Sequence, residues 1–385
     1  MTTLLLIIIY IAFISLGLPD SMLGAAWPVM QGQLGLPLAG AGLVSMIVSG
    51  STIISSLFSG VLIRRLGTGK LTLISVLMTA LALLGFSYSQ NYLWLCLIAV
   101  PLGLGAGAVD AALNDFVARN FTALHMNWLH SFWGVGATTG PLIMAFMLNQ
   151  TGRWQMGYRT VSIIQFSLVA LLAVSLPLWK KFPKPPSPQT TTNGGGTYRI
   201  PGMTPNLVAF FAYCAVEAST GLWAASFLVE QRGLSSVFAA GGASAYYLGI
   251  TLGRFLNGFL SSHFDAKNLV RGGQAMILLG VFLIFLPFPI LSLAGLMIIG
   301  LGCAPIYPTL LHETPRRFGA ENSASLMGLQ MAVAYCGLTL MPPLLGLIVD
   351  RFGLQVYPLG LLLLALMLTF GTERLNKVLA EQRTQ

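Results

Sequence analysis

The stretch GLGAGAVDAALNDFVARN, residues 103–120, decides how this chain is read. It extends an apolar run that begins near Tyr92, long enough to lie in a bilayer, yet it carries Asp110, Asn114 and Asp115. An ionisable side chain at the centre of a membrane helix costs about 2.5–3.5 kcal/mol on insertion scales, so it needs a reason to be there. Asp110 and Asn114 are four residues apart and share a helix face, while Asp115 points elsewhere. Gly103, Gly105 and Gly107 let a neighbouring helix or a ligand approach the backbone. Two readings stay open. Asp110 is a neutral acid hydrogen-bonded within a helix bundle, or it is part of a substrate or cation site on a water-filled cavity.

The rest of the chain puts that stretch in a membrane. Its 385 residues are 55% hydrophobic and only 8% charged, with a mean hydropathy of +0.79. Soluble proteins carry about 25% charged residues, so composition alone indicates a polytopic protein of the lipid bilayer. The net charge of +9 does not indicate nucleic-acid binding, because the basic residues sit between apolar runs and form no aromatic-interleaved patch. Cys96, Cys214, Cys303 and Cys336 all fall inside apolar runs, without CxxC spacing. They read as structural thiols, with no metal site and no cofactor. The N-terminus is apolar from Leu4 with no Lys or Arg before it, and reads as an uncleaved first helix. No HExxH, P-loop or GxSxG occurs and the loops are short, so an enzyme is not expected.

Runs of about 20 apolar residues match a hydrocarbon core of about 30 Å. Twelve are expected: 4–29, 38–63, 70–89, 92–117, 127–148, 158–179, 204–229, 237–261, 268–288, 291–312, 323–348 and 355–374. Residues 181–203 are rich in Pro, then in Thr, Asn and Gly, and read as a cytoplasmic linker. The expected layout is therefore an all-α membrane protein of two six-helix bundles, 1–180 and 204–385. With both termini in the cytoplasm, only Arg153, Arg159, Arg232 and Arg351 fall outside. Arg254 lies within a span, and every other Lys and Arg falls inside, which sets the orientation.

The halves repeat. GLGAGAVDAALND from Gly103 aligns with GLGCAPIYPTLLH from Gly300, an offset that also sets Asp20 opposite Glu217. AFMLNQTG from Ala145 matches GLIVDRFG from Gly346. Internal symmetry of this kind predicts a transporter with a midplane site between its repeats.

With the repeat, GVLIRRLGTGK at 60–70 and GATTGP at 136–141, the chain resembles the major facilitator superfamily over nearly its whole length. Within it, LGLPDSMLGAAWP at 16–28, VDAALNDFV at 109–117 and NWLHSFWGVGATTGP at 127–141 resemble the fucose–galactose–glucose proton symporter group. The resemblance implies two pseudo-symmetric six-helix bundles. It also implies that Asp20 and Asp110 handle the coupling proton and the substrate, with Asn114 meeting a sugar hydroxyl. One departure is plain: the loop after the second span carries Arg64 where the superfamily has an acid. Arg64 and Arg65 are gating candidates there, and Asp350-Arg351-Phe352-Gly353 carries an acid pattern on the opposite side.

The residues themselves add further candidates. Pro19 frees a backbone carbonyl and can kink the first span beside Asp20. His130 is a relay or inner-gate candidate, or a structural histidine near a helix end. Glu217 lies midway through the seventh span and needs a proton, a partner or water, with Arg254 of the eighth span as its partner and a gate. Sugar binding needs hydroxyl partners and an aromatic plate. The plates are Trp27, Trp133, Trp223, Tyr246, Tyr247, Tyr307 and Tyr335, and the polar partners are Asn114, Asn257, Gln274 and Gln330. The tryptophans also suit interfacial anchoring, and Gln330 a helix-to-helix bond.

The expected function is secondary active transport of a small polar solute, a sugar, across the cytoplasmic (inner) membrane. The expected mechanism is symport with a proton, or with sodium, by a monomer. A proton-coupled efflux pump for amphipathic compounds is the alternative, drawn from Gly140-Pro141 and the Met-rich walls. The orientation has a direct check. In a cysteine-free background, a cysteine at Gln150 reacts with an impermeant maleimide on intact cells, and one at Gln189 does not.

Overall fold

The computed structural model describes residues 2–121, 123–180, 182, 200–261, 263–319 and 323–383. The expected linker therefore lies outside the described residues, apart from Phe182 and residues 200–203. All regular structure among the described residues is helical. The first half runs α1 (Thr2–Asp20), α2 (Met22–Leu34), α3 (Gly40–Leu66), α4 (Thr68–Ser87), α5 (Tyr92–Asn120), α6 (Ala123–Thr151) and α7 (Trp154–Trp179). The second runs α8 (Met203–Arg232), α9 (Ser236–Leu260), α10 (Ala266–Phe285), α11 (Pro289–Cys303), α12 (Ile306–His312), α13 (Thr314–Phe318), α14 (Ser323–Phe352) and α15 (Tyr357–Arg383). Hydrocarbon offers no partner for a backbone N–H or C=O, so each crossing segment must close its own hydrogen bonds, as helices do.

Eleven stretches among the described residues are long and apolar enough to cross a membrane. α9 is the twelfth span by length and position. It falls short on hydropathy because Gly, Ser, Tyr and Arg254 line much of it. Two spans are broken rather than continuous. α1 and α2 form one span, Thr3–Leu34, interrupted just after Pro19. α11 and α12 form another, Pro289–His312, interrupted at Ala304 and Pro305. Proline removes a helical donor and crowds the carbonyl four residues back, which accounts for both breaks.

The internal repeat recurs as packing. In the first half α1 lies on α6, α3 on α5, and α4 on α7. The counterparts are α8 on α14, α9 on α11, and α10 on α15. Glycine sets these distances. A Cβ at Gly103 would sit 2.1 Å from the Val48 carbonyl oxygen, and one at Gly300 would sit 2.0 Å from that of Tyr246. Lipid tails are as apolar as Leu, so close backbone contact and side-chain hydrogen bonds must hold such helices together. Thr52 Oγ1 donates to Gly103 O at 3.1 Å and Ser56 Oγ to Gly107 O at 3.2 Å, tying α3 to α5.

Contacts between the halves run through α6 with α9, α3 with α14, and α2 with α8. At the end of the bundle away from the chain termini the halves are sealed. A Cβ at Gly24 would meet Gly221 O at 2.6 Å, and one at Gly42 would meet Pro343 Cα at 2.5 Å. Asp350 Oδ1 accepts from Leu38 N at 3.0 Å and Ala39 N at 3.4 Å, so the end of α14 caps the start of α3. α3 has no side-chain cap of its own, and a carboxylate suits the positive end of a helix. Toward the terminal end, Gly258 of α9 and Gly328 of α14 have nothing within 4 Å of a Cβ position. The seal between the halves thus lies at the end away from the chain termini.

Asp350→Ala removes this cap. The distance between spin labels at Gln33 and Gln355, read by pulsed EPR, is expected to gain a longer component. The equilibrium shifts toward the distally open form by about 0.3–2 kcal/mol, the usual worth of a charge at a helix end.

Candidate functional site

The centre of the bundle is built from breaks and glycines. Pro19 leaves the Ser15 carbonyl without its helical donor, and Gln165 Nε2 of α7 takes it at 2.9 Å. Gln165 Oε1 accepts in turn from Thr79 Oγ1 of α4 at 2.7 Å. That fully buried amide fixes the end of α1, and with it Asp20. Asp20 bonds to a residue of another helix and is nonetheless exposed to solvent, which marks a cavity at midspan. Its Oδ2 accepts from Trp133 Nε1 at 2.8 Å. Asp110 of α5 is half-buried. Asn114 Nδ2 donates to both Asp110 Oδ1 and Asp110 O, each at 3.0 Å, as the shared helix face requires. Asp115 pairs with Arg119 one turn on, away from that site.

The second half supplies the opposite wall. Glu217 of α8 and Arg254 of α9 form an ion pair with Nη2 3.6 Å from Oε1, their side chains 20% and 19% exposed. Arg254 also reaches across the interface. Its guanidinium lies over the Trp133 ring at 4.9 Å, and Nη1 donates to His130 O at 3.4 Å. A chain of contacts thus runs Asp20–Trp133–Arg254–Glu217 from one half to the other. Tyr247 packs edge-on to Tyr246 with ring centroids 5.0 Å apart, and the Tyr307 ring lies 5.7 Å from that of Tyr213. Tyr335 of α14 is half-buried. A short seam closes this level: Thr138 and Thr251 hydroxyls meet at 3.2 Å, and Ser244 Oγ donates to Thr138 O at 2.7 Å.

Other candidates lie elsewhere. Trp27 and Trp223 are fully buried, with Nε1 bonded to Leu38 O and Pro342 O, each at 3.0 Å. They pack the sealed end, so in this conformation they are neither plates on the cavity nor interfacial anchors. Trp133 offers its N–H to Asp20 and a ring face to Arg254 rather than a free plate. His130 is exposed, but its ring packs edge-on to Phe13 at 6.0 Å instead of bonding Asp110 or Asn114. Tyr307 is half-buried against Phe210 and Tyr213. Tyr246 is fully buried and donates to Glu217 O at 2.9 Å. Gln330 accepts from Thr314 Oγ1 at 3.0 Å and Gln274 donates to Thr372 Oγ1 at 2.7 Å, so both are helix-to-helix bonds. Asn257 lines a different cavity, of about 440 Å³, among α9, α10 and α11. Arg64 and Arg65 sit in the last turn of α3 at the open end, without an ion pair among the described residues. Gly140 is accounted for by packing, since a Cβ there would lie 2.3 Å from Leu18 O. Among the described residues no cluster of His, Cys, Asp and Glu could hold a metal.

Sequence reasoning passed over Gln165, Thr138, Thr251 and Ser244. A glutamine inside an apolar run is a visible signal for the first. The hydroxyls carry none until α6 and α9 are seen to touch.

Two helical bundles facing each other across a partly wet, charged centre define a membrane transporter. A sequence model of the Major Facilitator Superfamily matches residues 9–329 and, in a second placement, 206–377. The chain belongs to that superfamily, whose relatives and fold are those of transporters and not of enzymes. It is 29% identical to the glucose/mannose transporter GlcP of Bacillus subtilis, over 66% of each chain, just under two thirds of that relative's length. It is 25% identical to the hexuronate transporter of the same organism, over 87% of this chain and 85% of that one. In fold it is similar to a bacterial homologue of the human lysosomal transporter Spinster in an inward-facing, occupied conformation. That match has a TM-score of 0.74 and 13% identity, and covers 100% of this chain and 97% of the other.

The ion pair can be weighed directly. Arg254→Gln and Glu217→Gln each leave a partner unpaired and are expected to cost about 1–3 kcal/mol, given the water that reaches both side chains. The double variant is expected to recover at least half of the loss in a thermal-unfolding cycle on purified protein.

Proposed function

We propose that this transporter carries a neutral, hexose-like sugar into the cell by proton-coupled symport, through alternating access of its two halves. The observation that supports it is the pair of carboxyls, Asp20 and Asp110, on separate helices of the first half and partly wet at the middle of a membrane-length bundle. A carboxylate so placed favours uptake of a cation, and a proton neutralises a charge that hinders reorientation through the apolar core. Membrane potential then assists by about 2.3 kcal/mol per charge per 100 mV. Asn114, already on Asp110, and the tyrosines Tyr247, Tyr307 and Tyr335 supply hydroxyl partners and ring faces. The name of the GlcP relative agrees with a sugar. With the termini in the cytoplasm of a cell whose inner membrane holds the protein as a monomer, the conformation is inward-open, and Asp350 holds its outer seal. The Spinster homologue's inward-facing conformation agrees with this.

The test is uptake into proteoliposomes of a panel of labelled sugars, with pH and sodium gradients imposed separately. Accumulation is expected under the pH gradient. It is expected to fall by about tenfold or more in Asp20→Asn and Asp110→Asn, since a neutral amide carries no coupling proton. Absence of sugar flux under either gradient would falsify the reading, and accumulation under sodium alone would replace the proton.

A further inference from the structure

Asp20, Asp110 and Glu217 each lie near the middle of a span, and the contacts Asp20–Trp133–Arg254–Glu217 join two of them across the interface. Arg254 is the only Lys or Arg placed with them among the described residues. Its guanidinium is already engaged on three sides: by Glu217 at 3.6 Å, by the His130 carbonyl and by the face of Trp133. A sugar bearing a carboxylate needs a cationic fork of the kind arginine provides, and here that fork is held by a carboxyl of the protein. Like charges brought together in a partly desolvated site cost several kcal/mol. A coupling proton on one carboxyl still leaves two against one guanidinium.

We propose that Glu217 sets the charge class of the substrate. By engaging Arg254 it withholds the site's one cation from acidic sugars, so the cavity takes neutral and cationic sugars and rejects hexuronates. This rests on the sugar reading above and adds a specificity-determining residue to it. The geometry makes Glu217 removable. At 3.6 Å the pair is longer than a charge-assisted hydrogen bond, and both side chains touch water. Without it, Arg254 keeps its seat on Trp133 and the His130 carbonyl while its outer edge is freed.

Glucose, glucosamine and glucuronate share one ring skeleton and differ in charge, so they isolate the effect. Competition against labelled glucose uptake in proteoliposomes of the full chain is the measurement, in mildly acidic buffer. In the wild type, glucuronate is expected to compete about tenfold or more weakly than glucose, with glucosamine at least equal to glucose. Glu217→Gln is expected to raise glucuronate competition by about tenfold or more, and the gain is expected to vanish in Glu217→Gln with Arg254→Gln. Equal competition by glucuronate and glucose in the wild type overturns the proposal without any variant. So does a Glu217→Gln protein that takes up glucose but gains nothing toward glucuronate. If the wild type takes up no glucose, the sugar reading fails, and the three compounds are ranked instead by quenching of tryptophan fluorescence in purified protein. Binding with no preference against glucuronate then overturns the charge assignment alone, and binding of none overturns both.

Discussion

A carboxyl group in hydrocarbon has no water to bond and no counter-charge to face, and this constraint organises the interior. Asp20 sits where a proline has opened the first span, and Trp133 meets it from another helix. Asp110 is held by Asn114 one turn on. Glu217 faces Arg254. Each acid is thus placed by a feature that costs helix regularity or apolar character. Each of those features in turn sets how closely the surrounding helices approach.

The helices around the acids can approach closely because their contact faces are nearly bare. Gly103 and Gly107 on α5 meet α3, and Gly300 on α11 meets α9 in the corresponding place of the second half. No hydrophobic force separates a helix–helix contact from a helix–lipid contact, so backbone proximity and hydroxyl-to-carbonyl bonds carry the association. The result is two similar, internally stiff units. Their mutual contacts include a hydroxyl seam at Thr138, Thr251 and Ser244, and a charge cap at Asp350. Polar contacts of that kind can be exchanged without unpacking either bundle.

The polar links between the halves also share members with the site. Trp133 bonds Asp20 on its edge and carries Arg254 on its face. Any event that changes the charge on Asp20 therefore acts on the interface through a single side chain. Asp350 works on the same two bodies from the sealed end, where Trp27 and Trp223 are fully buried between helices.

Much of this was legible in the chain itself. Apolar run length, the offset between the two GLG stretches and the scarcity of charge determined an all-helical, twofold-repeated membrane protein, because lipid permits few alternatives. The spacing of Asp110 and Asn114 determined a shared face, and the isolation of Glu217 and Arg254 in adjacent spans foretold their pairing. Local spacing is enough there, since helix periodicity is short-ranged. Tertiary structure decided the rest. Nothing local to Trp27 or Trp223 says that they close one end, and nothing local to Trp133 says that it bridges Asp20 and Arg254. Gln330 and Asn257 looked equally suited to a central site, and one proved a strut between helices and the other a wall of a different cavity. Which face of a span meets a cavity depends on how helices far apart in sequence are rotated against each other. That rotation is set by the sum of many weak contacts and is written in no single stretch of the chain.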